Sequence, residues 1–183
     1  MSKLILLYVL GVPSGFILYL LGFKIGLFSA EDIIFYRGLK ILIATLFIQW
    51  ALVSLVIFYV GKSNINIANA LAVTMASFAI NVTFLVIIPV TLDRSVSVFM
   101  LGYMNKVEHP IKRDELLSAL QRIYIEKYEA VDRRVDEQIK SGNLILDERG
   151  DIVLTSRGKS FISVSKKIAN LLDIDKKFIE PQD

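Results

Sequence analysis

Few residues of this chain could do chemistry, and their spacing already limits what that chemistry is. His109, the sole histidine, stands between Glu108 and Pro110. An imidazole acts as general base or metal ligand only beside a second activating or chelating group, and none follows at suitable spacing, so a structural or solvated ring is expected. Cysteine is absent, which removes disulfides, thiolate metal sites and cysteine nucleophiles. There is no glycine-rich phosphate loop, no G-x-S-x-G elbow, no H-E-x-x-H helix and no carboxylate pair in apolar surroundings. Neither a cofactor, nor a metal, nor an enzymatic centre is expected. Asp93-Arg94 could hold a lipid headgroup, but helix capping by Asp93 and snorkelling by Arg94 account for both. What remains is a charged run, Arg133, Arg134, Glu137 and Lys140, with Arg149 further on, and two amides, Asn69 and Asn81, inside an apolar stretch.

These residues need elements to position them, and the charge distribution shows two kinds. The chain has 183 residues, 54% of them hydrophobic, more than an ordinary soluble domain carries. Residues 1–105 hold six cations (Lys3, Lys24, Arg37, Lys40, Lys62, Arg94) and three acids (Glu31, Asp32, Asp93), whereas residues 106–183 hold fifteen of each sign. The basic isoelectric point near 9.0 therefore reports the sparse charges of an apolar half and not a nucleic-acid-binding surface.

A hydrocarbon core of about 30 Å needs roughly 20 helical residues. Residues 4–23, 41–60 and 67–92 satisfy this without a charge, and they define a transmembrane domain over 1–92. The first run is longer than a signal-peptide core and lacks a small-x-small cleavage site, so it is read as a retained helix. Between the first two spans, Ser29-Ala30-Glu31-Asp32 can cap a short interfacial helix, with Gly38 as a hinge into the second span. Gly61 to Asn66 forms a tight loop that makes the second and third spans antiparallel. Gly11 and Gly15 allow close backbone approach beside Pro13, which is expected to kink its helix. Ala68, Ala72 and Ala76 at fourfold spacing, with Asn69 and Asn81 alongside, read as helix-packing faces. A polar path lined by Asn69 and Asn81 is the alternative. The sequon Asn81-Val82-Thr83 lies inside a span and is accidental. The positive-inside bias places Lys24, Arg37, Lys40 and Arg94 in the cytoplasm against Lys3 and Lys62 outside, giving N-out, C-in.

Residues 93–183 read as a soluble domain with a charged tail. Asp93 can cap a helix carrying Val96, Phe99, Met100, Tyr103 and Met104. Lys112 to Ile123 form a second, with Leu116, Leu117, Leu120 and Ile123 as its stripe, and Glu129 to Lys140 a third, with Val131, Val135 and Ile139. Ser141-Gly142-Asn143 ends the third helix, and Leu144–Leu146 and Ile152–Leu154 flank a hairpin turn. A last helix, Arg157 to Leu172, is expected to bury Phe161, Ile162, Val164, Ile168 and Leu171 or Leu172. The tail from Asp173 is expected to fray.

Helix, helix, helix, hairpin, helix is the order of a winged helix-turn-helix domain. The run Val135-Asp136-Glu137-Gln138-Ile139-Lys140-Ser141-Gly142-Asn143-Leu144-Ile145, followed by Leu154-Thr155-Ser156-Arg157-Gly158-Lys159, resembles the junction of recognition helix, wing and closing helix in that superfamily, over about residues 93–172. The fold class expected is thus mainly α, a three-helix transmembrane region followed by a winged-helix (α+β) soluble domain. The resemblance would imply DNA binding through the third helix, but residues 129–140 carry four acids against three cations, and the wing tip is acidic. Nucleic acid is therefore not expected as a partner. The sequence points instead to an integral protein of the plasma (inner) membrane, multi-pass, in contact with membrane lipid. Its cytoplasmic module would bind a protein partner or a second copy through Arg133, Arg134, Glu137, Lys140 and Arg149, as an accessory or regulatory subunit of a membrane assembly. The alternatives are a membrane-bound transcriptional regulator and a small membrane enzyme acting on lipid-linked substrates.

Overall fold

Long uninterrupted apolar runs leave the backbone no water to bond, so helices that satisfy every N–H internally are the stable solution. The computed structural model, which describes residues 3–60, 66–107, 109–175, 177 and 179–181, shows three of them. They are α1 (Lys3–Lys24), α2 (Ile34–Val60) and α3 (Ile67–Ile87), each long and apolar enough to cross a membrane, the third together with its continuation to Arg94. The protein is mainly helical, and these three helices make it a membrane protein.

Two expectations about this half are corrected. The segment before the second span is not a separate helix hinged at Gly38: α2 runs unbroken from Ile34, and Gly38 is an interior residue against Leu85 and Tyr19. The chain from Gly26 to Glu31 is held instead by turns, and Arg37 donates to the carbonyls of Leu27 at 3.1 Å and Phe23 at 3.3 Å, tying off the end of α1. The third apolar run breaks at Ile88, because Pro89 has no N–H to continue the ladder and suits a first helical turn; α4 (Pro89–Arg94) follows. Asp93 therefore lies inside a helix. Ser95 is the cap of α5 (Val96–Val107), its Oγ accepting from Val98 N at 3.1 Å. The expected tight loop lies outside the described residues at 61–65. Asn66 beyond it caps α3 by accepting from the N–H groups of Ala68 and Asn69.

The three long helices pack antiparallel in sequence order, with two apolar layers around a polar one. One layer gathers Val53, Ala70 and Val73 with Leu7, Tyr8, Val12 and Ile57. The other gathers Tyr19, Ile41, Leu42 and Leu85 with Phe23, Phe35 and Phe84. Among the described residues, the largest fully buried side chains, Tyr19, Ile41, Leu42, Leu85, Val73, Thr74 and Ser77, belong to this bundle.

The chain divides into two compact units, Met1–Val98 and Phe99–Asp183, a boundary beyond residue 92. In the second unit, α6 (Arg113–Ala119) continues into an eight-residue π-helix, Leu120–Lys127, in which Tyr128 N bonds back to Ile123 O at 2.9 Å. The plain α-helix expected over this stretch is thus only half present. α7 (Ala130–Lys140) ends at Gly142, whose φ of 76° is the left-handed geometry that suits glycine. β1 (Leu144–Leu146) and β2 (Ile152–Leu154) pair antiparallel with Ile145 opposite Val153. Thr155 caps α8 (Ser156–Leu171), accepting from Gly158 N at 3.0 Å while donating to Gly142 O at 2.8 Å. Part of the expected tail, residues 176, 178, 182 and 183, lies outside the described residues.

Candidate functional site

The middle of the bundle is built on Gln49, which is 2% exposed. Its Nε2 donates to Gly11 O at 2.8 Å and to Ser77 Oγ at 2.7 Å, and Ser77 Oγ reaches Val12 O at 3.0 Å. One amide thus ties α2 to both of its neighbours. Space for it comes from Gly15, where a Cβ would stand 2.6 Å from Gln49 Cδ. One turn along, Asn81 Nδ2 donates to Gly15 O at 3.3 Å. Thr45 and Thr74 are buried too but bond back to their own helices, Thr45 to Ile41 O and Thr74 to Ala70 O. Asn81 Oδ1, the Tyr19 hydroxyl and Ser54 Oγ are buried without a hydrogen-bond partner among the described residues.

Of the residues expected to pack helices, Gly11, Gly15 and Asn81 lie at these contacts. Asn69 is half-buried and hydrogen-bonded to Asn66 at the helix end. Ala68 and Ala72 are exposed and Ala76 half-buried. The inner face of α3 is Ala70, Val73, Thr74, Ser77, Asn81 and Leu85, about two positions round from the alanine stripe. Fourfold spacing sets residues on one face of a helix but does not say which face turns inward: Val73, Ser77, Asn81 and Leu85 share the spacing of the alanines and take the inner side.

In the second unit Arg134 and Glu137 come together. Arg134 Nη1 lies 2.7 and 2.8 Å from the two carboxylate oxygens of Glu137, whose side chain is 9% exposed against 33% for the arginine. The pair secures the inner side of α7. Arg133, Lys140 and Arg149 are exposed, Arg149 on the hairpin turn, where its N–H is held by Asp147 Oδ1 at 2.8 Å. The five residues therefore do not form one patch of equal access. His109 is exposed, its Nδ1 2.8 Å from Val107 O, and no group of three or more metal-ligating side chains occurs among the described residues.

The largest correction concerns α8. Gly158 and Ala169 are buried and Ile162 half-buried on its inner side, where a Cβ on Gly158 would strike the Asn143 carbonyl and Leu154. The remaining residues of the expected buried face are exposed: Phe161 by 58%, Val164 by 53%, Ile168 by 48% and Leu171 by 82%. They recur at intervals of three, four and three residues, one continuous apolar stripe. Leu146, Ile152 and Leu154 of the hairpin are exposed as well.

Comparison with family models, with curated proteins and with solved structures yields no match.

Two features escaped the sequence reading. Gln49 was hidden because an amide among Phe47, Ile48 and Trp50 disturbs no periodicity, although a polar side chain in mid-span is itself a signal. The outward turn of α8 was hidden because an apolar stripe has the same period whether it meets the chain's own core or another surface.

Proposed function

We propose that this protein is a membrane-anchored interaction subunit whose C-terminal module, a winged-helix-like domain on the cytoplasmic side, docks a protein partner within a membrane assembly. The observation that carries the reading is the exposed stripe Phe161, Val164, Ile168 and Leu171 on α8, a contiguous apolar face of the kind that marks association surfaces. The element order from α5 through the hairpin to α8 supports the winged-helix reading, and the cations near the ends of the spans support N-out, C-in. The tie between Arg134 and Glu137 supports a protein partner over DNA, since the guanidinium a phosphate would need is already engaged by a carboxylate.

A photo-crosslinking side chain at Val164 in native membranes, with the adducts identified, tests this reading. Adducts to a defined protein, abolished by Ile168→Glu, are expected. Adducts to lipid alone, or duplex DNA captured by the full chain at physiological salt, would overturn it.

A further inference from the structure

Within the second unit, a cleft of about 470 Å³ opens between α5 and the π-helical segment. Phe99, Tyr103 and Lys106 succeed one another on a single stripe of α5, and all three line it. Ile123, Lys127 and Tyr128 line it from the other side, brought there by the wider turn of the π-helix. Phe99 stacks on Tyr103, with centroids 6.3 Å apart and planes at 18°, and meets Tyr128 edge-on at 6.2 Å.

Three aromatic rings and two cations therefore border one opening, and among the described residues no carboxylate lines it. The backbone beside it is of the kind that accompanies binding sites. A π-helix seldom persists for eight residues without a functional reason, and Glu129, two residues past its end, sits at φ 51°, a left-handed conformation costly for a side chain of this type. The volume lies in the range of small-molecule sites, about 300–1,000 Å³.

We propose that this cleft binds a phosphate ester carried on a planar ring, a compound of mononucleotide size. The ring stacks against Tyr103, Phe99 or Tyr128, as bases do on aromatic side chains, and Lys106 and Lys127 take the phosphate as paired point charges. An acyl chain or a neutral apolar ligand would leave both ammonium groups without use, and bare phosphate would leave the rings without use.

The test is calorimetric titration of the full chain in detergent micelles with the four nucleoside 5′-monophosphates, with inorganic phosphate and with phosphoinositide-containing micelles in parallel. Saturable binding of at least one nucleotide, well above that of inorganic phosphate, is expected. Lys106→Met and Lys127→Met should each weaken it about tenfold and flatten its salt dependence, whereas Tyr128→Leu should weaken it by about tenfold or more with the salt dependence intact. Tyr128 and Lys127 are both exposed, so Lys127→Met remains informative if the tyrosine variant fails to fold. No saturable nucleotide binding, equal affinity for inorganic phosphate, preference for phosphoinositide, or binding indifferent to both lysines would each overturn the proposal. None of these results bears on docking at α8.

Discussion

Gly15→Ala puts one methyl group into the space occupied by the Gln49 amide, where its Cβ would lie 2.6 Å from both Cδ and Nε2. The glutamine is flexible enough to swing away, but only by releasing Gly11 O and Ser77 Oγ together. Interhelical hydrogen bonds in lipid contribute about 0.6 kcal/mol each on average and about 1.7 at most, so the loss of both costs about 1–3 kcal/mol. Gln49→Ala removes the same two bonds and should cost a similar amount, plus a contribution from the small cavity it leaves. With the amide gone, however, the new methyl has room. Gly15→Ala should therefore be nearly neutral in the Gln49→Ala background, a coupling of about 1–3 kcal/mol across the cycle. The assay is equilibrium unfolding in mixed micelles, followed through the emission of Trp50, the sole tryptophan and the immediate neighbour of Gln49. Additivity of the two substitutions to within about 0.5 kcal/mol would refute the argument, since it would mean that Gly15 serves something other than the glutamine.

Three further outcomes are expected. A reporter active only outside the cytoplasm should be silent when fused after Asp183 and active when inserted near Ser63; the reverse pattern would invert the orientation. Thr155→Ala removes both the α8 cap and the bond to Gly142 O, and should lower the stability of the second unit by about 1–2 kcal/mol, read as an earlier thermal loss of helix signal from the full chain in micelles. Arg134→Ala withdraws the guanidinium from a carboxylate that is nearly buried; a cost of about 1–3 kcal/mol is expected in the same melt, reduced by the arginine's partial exposure, and Glu137→Gln in addition should recover part of it.

The sequence was most legible where one physical demand dominates. Apolar length alone located the three spans, and Gly142 and the two apolar triplets flanking a turn located the end of α7 and the hairpin. It was less legible where two demands share a signature. Ala68, Ala72 and Ala76 look like a close-packing stripe, yet the chain turns Ala70, Val73, Thr74 and Ser77 inward, because Gln49 and Val53 on α2 need partners there. Gly38 looks like a hinge but accommodates Leu85 within an unbroken helix. On α8 the distinction between own core and foreign surface is absent from the periodicity altogether. Small residues mark the inner side: Gly158, close against Leu154 and the Asn143 carbonyl, and the buried Ala169. The cleft beside α5 was invisible for another reason: it depends on the π-helical turn at Leu120–Lys127, which no propensity in that segment announces.

The bonds of Gln49 also carry an order in time. A chain threaded into the bilayer from its N-terminus presents α1 and α2 before α3 has been made. Alone in hydrocarbon, α2 would hold a bare amide at mid-depth, a costly state. The Gly11 carbonyl can receive that amide as soon as the first two helices meet, whereas Ser77 arrives only with the third. The bundle is thus wired to enter lipid as a helical hairpin first, with α3 closing onto a polar latch already half engaged.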